Sequence, residues 1–103
     1  MIVKYVYDVV YDSVELLEEG GHTYSMAANH LYNDMVDQGK IKNYSFVLNK
    51  ETLTRTATIT YANLDAYDEH VSRYKLIGDK SVISGRHVTN QYLEDEFGIK
   101  SYI

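Results

Sequence analysis

The residues best suited to acid–base chemistry lie in the segment YDEHV, at positions 67–71. Histidine titrates near neutral pH, so His70 is the best candidate for a general base, and a carboxylate of Asp68 or Glu69 could orient its ring. Tyr67 and Arg55 are the other candidate catalytic residues to test first. The pattern favours a competing interpretation, a solvated histidine on a helix surface, so no residue is assigned a catalytic role.

The spacing of the potential metal ligands predicts no metal site. The four histidines, His22, His30, His70 and His87, are scattered over different predicted elements, and neither an HxH nor an HExxH pattern occurs. The chain has no cysteine, which removes thiolate ligands, disulfides and cysteine nucleophiles together. We therefore expect neither a metal nor a cofactor.

Hydrophobic periodicity and turn residues predict an alternation of strands and helices. In chain order, the predicted elements are a strand over 3–11, a helix over 23–39, a hairpin over 41–61, a helix over 63–75, a strand over 81–88, a short helix over 89–98 and a terminal strand over 99–103. Thr23 or Ser25 is the predicted cap of the first helix, and Asn63 that of the second. Segment 12–21 is left open between an acidic loop and a single helical turn, capped by Asp12 or Ser13 and ended by the two glycines.

Side chains alternate across a strand, so the strand residues sort into two faces. The apolar face, which the helices must cover, consists of Tyr5, Tyr7, Val9, Tyr11, Tyr44, Phe46, Leu48, Ile59 and Tyr61. The other face is left open and holds Lys4, Asp8, Asn43, Ser45 and a threonine ladder of Thr52, Thr54, Thr56, Thr58 and Thr60. We therefore expect the strand tyrosines to be structural. The open face carries no predicted aromatic row, which argues against base stacking and RNA binding.

The order β-α-β-β-α-β predicts one ferredoxin-like α+β domain over 1–103, with a four-stranded antiparallel sheet, two helices on one face and a short C-terminal extension. The segment TATITYANLDAYDEHV, in which a strand runs into a capped helix, resembles the dimeric α/β-barrel superfamily. The resemblance covers most of the chain in element order. It implies two sheets packed face to face and an activity like that of small cofactor-free oxygenases or dehalogenase-like enzymes. It transfers no catalytic residue.

The net charge of −5 belongs to the first forty residues, which hold two lysines and seven acidic residues. This charge opposes nucleic-acid binding, which depends on lysine and arginine, and is compatible with a basic protein partner. The acidic run Glu15, Glu18 and Glu19 is either solvated surface or a docking patch. The lack of cysteine, of a signal peptide and of an apolar run of about 20 residues predicts a cytoplasmic protein without membrane contact.

Three hypotheses of function follow from these patterns. The preferred one is a small non-enzymatic interaction module, since no catalytic cluster converges and the composition resembles phage- or mobile-element-encoded regulators and inhibitors. Its expected protein-binding residues are Glu15, Glu18, Glu19, Asp8, Thr54, Thr56 and Thr58. The alternative is a homodimeric α/β-barrel enzyme or small-molecule binder using His70, Tyr67 and Arg55. The third is a structural subunit whose C-terminal segment, GIKSYI, adds a strand to a neighbour's sheet.

Overall fold

A computed structural model describes residues 1–78 and 85–103 of the chain. Within these residues, five strands form one antiparallel sheet in the order β2-β3-β1-β4-β5. The strands are β1 (Val3–Tyr11), β2 (Ile41–Asn49), β3 (Thr54–Tyr61), β4 (Arg86–Asp95) and β5 (Lys100–Tyr102). The helical segments are α1 (Val14–Ala27), a π-helical turn (Ala28–Tyr32), α2 (Asn33–Asp37) and α3 (Leu64–Gly78). The predicted β-α-β-β-α-β order is therefore present, but the sheet has five strands rather than four.

The first strand and the hairpin have the predicted positions. β1 and β3 are rich in β-branched and aromatic residues, and the side chains on their covered face are mainly apolar, a pattern that suits a sheet with one covered face. Asn49 organises the hairpin turn, because its side-chain oxygen accepts bonds from the backbone nitrogens of Glu51 and Thr52, at 3.0 and 3.3 Å.

The first helix begins about nine residues earlier than predicted. Ser13 is its cap, with Oγ accepting a bond from the backbone nitrogen of Leu16 at 3.2 Å, so the predicted caps Thr23 and Ser25 are wrong. Thr23 lies inside α1, and its hydroxyl donates to the carbonyl of Glu19. For segment 12–21 the helical alternative with Ser13 as cap is confirmed and the acidic loop is wrong, but the helix continues past Gly20 and Gly21 instead of ending there.

Two glycines allow α1 to lie close to the sheet. A Cβ atom at Gly20 would collide with the phenol of Tyr11, and one at Gly21 would lie 2.8 Å from Nη2 of Arg55. Glycine weakens a helix, but here it creates room for two large side chains between the helix and the sheet. The close approach explains why a pair of glycines occurs within a helix.

The short helix predicted over 89–98 is wrong, because most of this segment belongs to β4. β4 pairs with β1, placing Leu93 opposite Tyr5, and Asp95 begins a tight turn into β5. The carboxylate of Asp95 accepts bonds from the backbone nitrogens of Phe97 and Ile99, at 2.9 and 3.0 Å. The terminal strand predicted over 99–103 is confirmed as β5. Of the strand predicted over 81–88, residues 81–84 lie outside the described residues, and β4 begins at Arg86.

The core lies between the sheet and the helices, on the predicted face. Tyr7, Val9, Tyr11, Ile59 and Tyr61 are buried there, together with residues of α1, the π-helical turn, α2 and α3. Three of the other predicted core residues are partly buried: Tyr5, Tyr44 and Phe46. The exception is Leu48, which is 42% exposed on the edge strand β2. The strand tyrosines are therefore structural, as predicted.

The open face of the sheet differs from the prediction in one respect. Val6 pairs with Tyr92, which in turn pairs with Tyr102, so both tyrosines lie on the open face, on β4 and β5. Their ring centroids are 5.4 Å apart, and Nζ of Lys100 lies 4.9 Å from the centroid of Tyr92. The expectation of an open face without aromatic residues is therefore wrong, because it depended on placing Tyr92 in a helix.

No helix in residues 1–78 and 85–103 is long and apolar enough to cross a membrane.

Candidate functional site

A pocket of about 430 Å³ opens on the helix side of the sheet, between β1, β3 and β4 on one side and α3 and the π-helical turn on the other. Four tyrosines line it: Tyr5, Tyr7, Tyr32 and Tyr67. Its aliphatic lining consists of Ile59, Val71, Val88 and Ile103. Its other polar side chains are His70, Arg86 and Gln91. The wall is therefore mainly apolar and aromatic, with a few polar groups at defined places.

The secondary structure explains why these residues converge. Tyr67, His70 and Val71 are spaced i, i+3 and i+4 on α3, so they share one helix face. Tyr5 and Tyr7 are alternate residues of β1 and point to the same side of the sheet. Tyr32 reaches the site from the π-helical turn, a distortion that is often found at functional sites.

His70 is the central polar residue of the pocket. It is only 3% exposed, and its Nδ1 atom lies 2.5 Å from the hydroxyl of Tyr61. The ring of Tyr32 meets it edge-on, with centroids 4.5 Å apart. The interpretation of His70 as a solvated surface histidine is therefore wrong.

The predicted orienting carboxylates do not hold His70. Glu69 pairs instead with Lys40, with 2.9 Å between Nζ and Oε2, and Asp68 is exposed on α3. The orienting group is the phenol of Tyr61, at the end of β3. Because Tyr61 lies in a strand and His70 in the following helix, sequence spacing could not reveal this bond.

Burial keeps the Tyr61–His70 pair neutral near pH 7. Desolvation lowers the pKa of His70 from its ordinary value of 6.5 to about 4, and the positive charge of Arg73 acts in the same direction. Desolvation also raises the pKa of Tyr61 well above 10, with smaller contributions from Tyr32, Tyr5 and Tyr67. The short bond therefore joins a neutral imidazole to a neutral phenol.

Hydrogen bonds hold the two polar side chains that β4 contributes to the pocket, Gln91 and Arg86. The hydroxyl of Tyr5 donates to Oε1 of Gln91 at 2.8 Å. Nη2 of Arg86 donates to the hydroxyl of Tyr24 at 2.9 Å, and that hydroxyl also bonds to the hydroxyl of Tyr7 at 3.1 Å. These bonds position an amide and a guanidinium at the wall of an otherwise aromatic pocket.

The structure brings together two of the three candidate catalytic residues. His70 and Tyr67 line the pocket. Burial raises the pKa of Tyr67, and the nearby negative charge of Asp68 raises it further. Arg55 does not line the pocket. It is 8% exposed beneath α1, with Nη2 donating to the carbonyl of Leu17 at 2.8 Å. Arg55 therefore joins α1 to the sheet.

The predicted partner-binding residues lie on two separate surfaces. Glu15, Glu18 and Glu19 are exposed on α1. Asp8 lies on the open sheet face, where its carboxylate accepts bonds from Thr56 at 2.7 Å and Asn90 at 3.0 Å. Thr54 and Thr58 are partly buried on the same face. These residues thus belong to two possible interfaces and not to one.

Arg86 and Gln91 line the pocket but were not predicted as site residues. Both lie on β4, and Gln91 falls within the segment wrongly predicted as a helix. The alternation of Arg86 and Val88 was the available signal, since residues two apart on a strand share a face. Tyr32 lies in the segment predicted as the first helix, but nothing in the sequence placed it near His70.

Two solved structures are similar to this chain, and both are described as dimeric ferredoxin-like proteins from an uncultured marine organism. The first has a TM-score of 0.73 and 13% sequence identity, covering 89% of this chain and 94% of that one. The second has a TM-score of 0.59 and 12% identity, covering 90% and 92%. No family model matches the chain, and no curated protein matches it significantly. The comparisons confirm the ferredoxin-like architecture.

Proposed function

We propose that this protein is a homodimer of the α/β-barrel type in which each subunit binds a small organic molecule containing a flat apolar ring. The observation that carries this proposal is the aromatic pocket between the sheet and α3. Its volume of about 430 Å³ lies within the range of about 300–1,000 Å³ that is usual for small-molecule sites. An aromatic wall with a few placed polar groups is also the usual composition of such sites.

The open sheet face supports the homodimer. It presents Val47, which is 62% exposed, and Tyr102, which is 71% exposed. Lys4 and Glu94 lie opposite each other on the same face, so it carries charges of both signs. A face with both signs can match a second copy of itself about a twofold axis. The two similar structures, described as dimeric, support the same arrangement.

The environment of His70 favours binding over acid–base catalysis by this residue. A general base works best when its pKa lies near the operating pH. A histidine whose pKa is lowered to about 4 is a weak base at neutral pH. The Tyr61–His70 pair therefore serves to shape the pocket and to present fixed polar atoms.

Binding can be tested by NMR titration with three neutral ring compounds, naphthalene, indole and 2-naphthol. At least one should cause saturable shifts of the backbone amides of Tyr5, His70 and Gln91. Val71→Trp, which adds bulk at the pocket wall, should abolish these shifts, whereas Val36→Trp on the exposed side of α2 should not. Shifts that are absent, or unchanged by Val71→Trp, would contradict the proposal.

The dimer can be tested by sedimentation velocity. An unpaired charge at an apolar position of the open face, as in Tyr102→Asp, should convert the dimer to a monomer, because buried unpaired charge is costly at an interface. Val36→Asp on α2 is the matched control and should leave the dimer intact. A wild-type protein that is monomeric at every accessible concentration would refute the dimer.

The interaction-module hypothesis stays a prediction. One structural observation supports it: the carboxylates of Glu15, Glu18 and Glu19 are exposed along α1, on a different element from the open sheet face. A basic partner could therefore bind α1 without displacing a second copy of the chain.

A further inference from the structure

Two consecutive residues at the end of the sheet lie on opposite sides of it. Tyr102 pairs with Tyr92 and lies on the open face, where it is 71% exposed. The chain stays beside β4 at Ile103, whose backbone nitrogen donates to the carbonyl of Gln91 at 2.9 Å. Because side chains alternate along an extended chain, Ile103 points to the helix side, and it lines the pocket. β5 and the residue after it therefore connect the proposed dimer interface with the proposed ligand site.

The strand that makes this connection is held on one side only. β5 lies at the edge of the sheet, so its hydrogen-bonded neighbour is β4 alone. Its three residues, Lys100, Ser101 and Tyr102, are all exposed. Short, exposed segments at a sheet edge open locally at a low cost in free energy. We therefore expect β5 to exchange between a docked and an opened state, and Ile103 lies at the pocket wall only in the docked state.

A second copy of the chain and a ligand would each stabilise the docked state. A copy packed on the open face would cover Tyr102 and the ring of Tyr92, whose centroid lies 5.4 Å from that of Tyr102. A ligand in the pocket would contact Ile103 from the other side of the sheet. When two binding events favour the same state, each raises the population of the state that the other requires.

We propose that dimerisation and ligand binding are positively coupled through β5, with Ile103 completing the pocket wall when the strand is docked. This inference rests on the proposed function, since it requires both the homodimer and the small-molecule site, and it adds that each promotes the other. By linkage, dimerisation raises the affinity of a subunit for the ligand by the same factor as a bound molecule favours the dimer. Ile103 is accordingly a binding residue, and Tyr102 is a positioning residue that acts through it.

The test compares ligand affinity in dimeric and monomeric forms of the full chain. The probe is whichever of naphthalene, indole and 2-naphthol binds the wild type most tightly, and NMR titration gives its dissociation constant. Val47→Asp introduces a charge on the open face of β2, at the opposite edge of the sheet from β5, and should give a monomer. We expect this monomer to bind the probe at least about fivefold more weakly than the wild type, although Val47 does not line the pocket.

A second substitution tests whether the coupling passes through β5. Ile103→Ala should weaken binding of the probe to the dimer. In the Ile103→Ala background, Val47→Asp should cause no further loss of affinity, because the residue that carries the coupling has been removed. Val36→Ala, which shortens an exposed aliphatic side chain on α2, is the control. It should change neither the affinity nor the difference between dimer and monomer.

The possible outcomes separate this inference from the proposed function. Equal affinities of the dimer and the monomer would overturn the coupling and leave both parts of the proposed function standing. A difference that persists undiminished in Ile103→Ala would also overturn it, because the coupling would then take another route. A monomeric wild type, or a wild type that binds none of the three probes, would refute the proposed function itself.

Dilution of the wild type replaces the comparison where Val47→Asp does not give a folded monomer. Sedimentation velocity then measures the dimer dissociation constant with and without saturating probe. The probe should lower this constant at least about fivefold. A constant that the probe leaves unchanged would overturn the coupling.

Discussion

Lowering the pH from 7 to 5 should destabilise the native protein by about 2 kcal/mol through His70 alone. Burial lowers the pKa of this residue from 6.5 to about 4 in the folded state. Between these values the unfolded chain binds a proton that the native protein does not, so the free energy of unfolding falls as the pH falls. At about 1.4 kcal/mol per pH unit, the full effect is about 3.4 kcal/mol, of which about 2 kcal/mol falls between pH 7 and pH 5.

The assay is urea denaturation at pH 7 and pH 5, followed by circular dichroism. His70→Gln should lose the His70 contribution, so its loss of stability between the two pH values should be about 2 kcal/mol smaller than that of the wild type. His22→Gln, at an exposed position of α1, should keep the wild-type dependence. Should His70→Gln fail to fold, His70→Phe serves the same purpose. An equal pH dependence in the wild type and the His70 variant would refute the reasoning.

Three further predictions concern the packing and the surface. Gly20→Ala should lower the free energy of unfolding by about 1–3 kcal/mol, because the added methyl group overpacks against the ring of Tyr11. Ser25→Ala, on the exposed side of the same helix, should change it little. Both values are measured by urea titration. Tyr61→Phe removes the buried bond to the histidine and should cost about 1–3 kcal/mol by the same assay, more than Tyr44→Phe, whose bond is exposed. Charge reversal of the acidic run should weaken capture of a basic partner in pull-down from the native host, and unchanged capture would exclude the docking patch. The reversed residues are Glu15, Glu18 and Glu19.

The elements that sequence reasoning predicted well are those whose local pattern and global role agree. Threonine alternates with Ala57, Ile59 and Tyr61, and this period of two predicts a strand from local residues alone. The same alternation shows which side chains lie on the covered face. Asn63 likewise caps α3 as predicted, with its side-chain oxygen 2.8 Å from the backbone nitrogen of Ala66. Such signals operate within a few residues and do not depend on distant contacts.

The errors occurred where a distant contact decides the local structure. Gly20 and Gly21 have the composition of a helix end, yet they lie within α1 because Tyr11 and Arg55 occupy the space beside them. Leu93 and Phe97 have helical spacing, but pairing of Leu93 with β1 makes the segment a strand. In both cases the deciding partner lies far away in the sequence.

The candidate site could be predicted only in part for the same reason. His70 and Tyr67 were identified from their residue types and their position on one helix. Their partners in the pocket come from β1, β3, β4 and the π-helical turn. The bond between His70 and Tyr61 could therefore be recognised only once the fold was known. Arg86 and Gln91 could be assigned to the pocket only once the position of β4 was known.

The central claim is that two copies of the chain form a dimer whose subunits each bind one small aromatic molecule. Native mass spectrometry of the full chain with added 2-naphthol tests it most directly. We expect a species of twice the 11.9 kDa chain mass carrying up to two molecules of the probe. A monomer that carries no probe at any protein concentration would contradict the account.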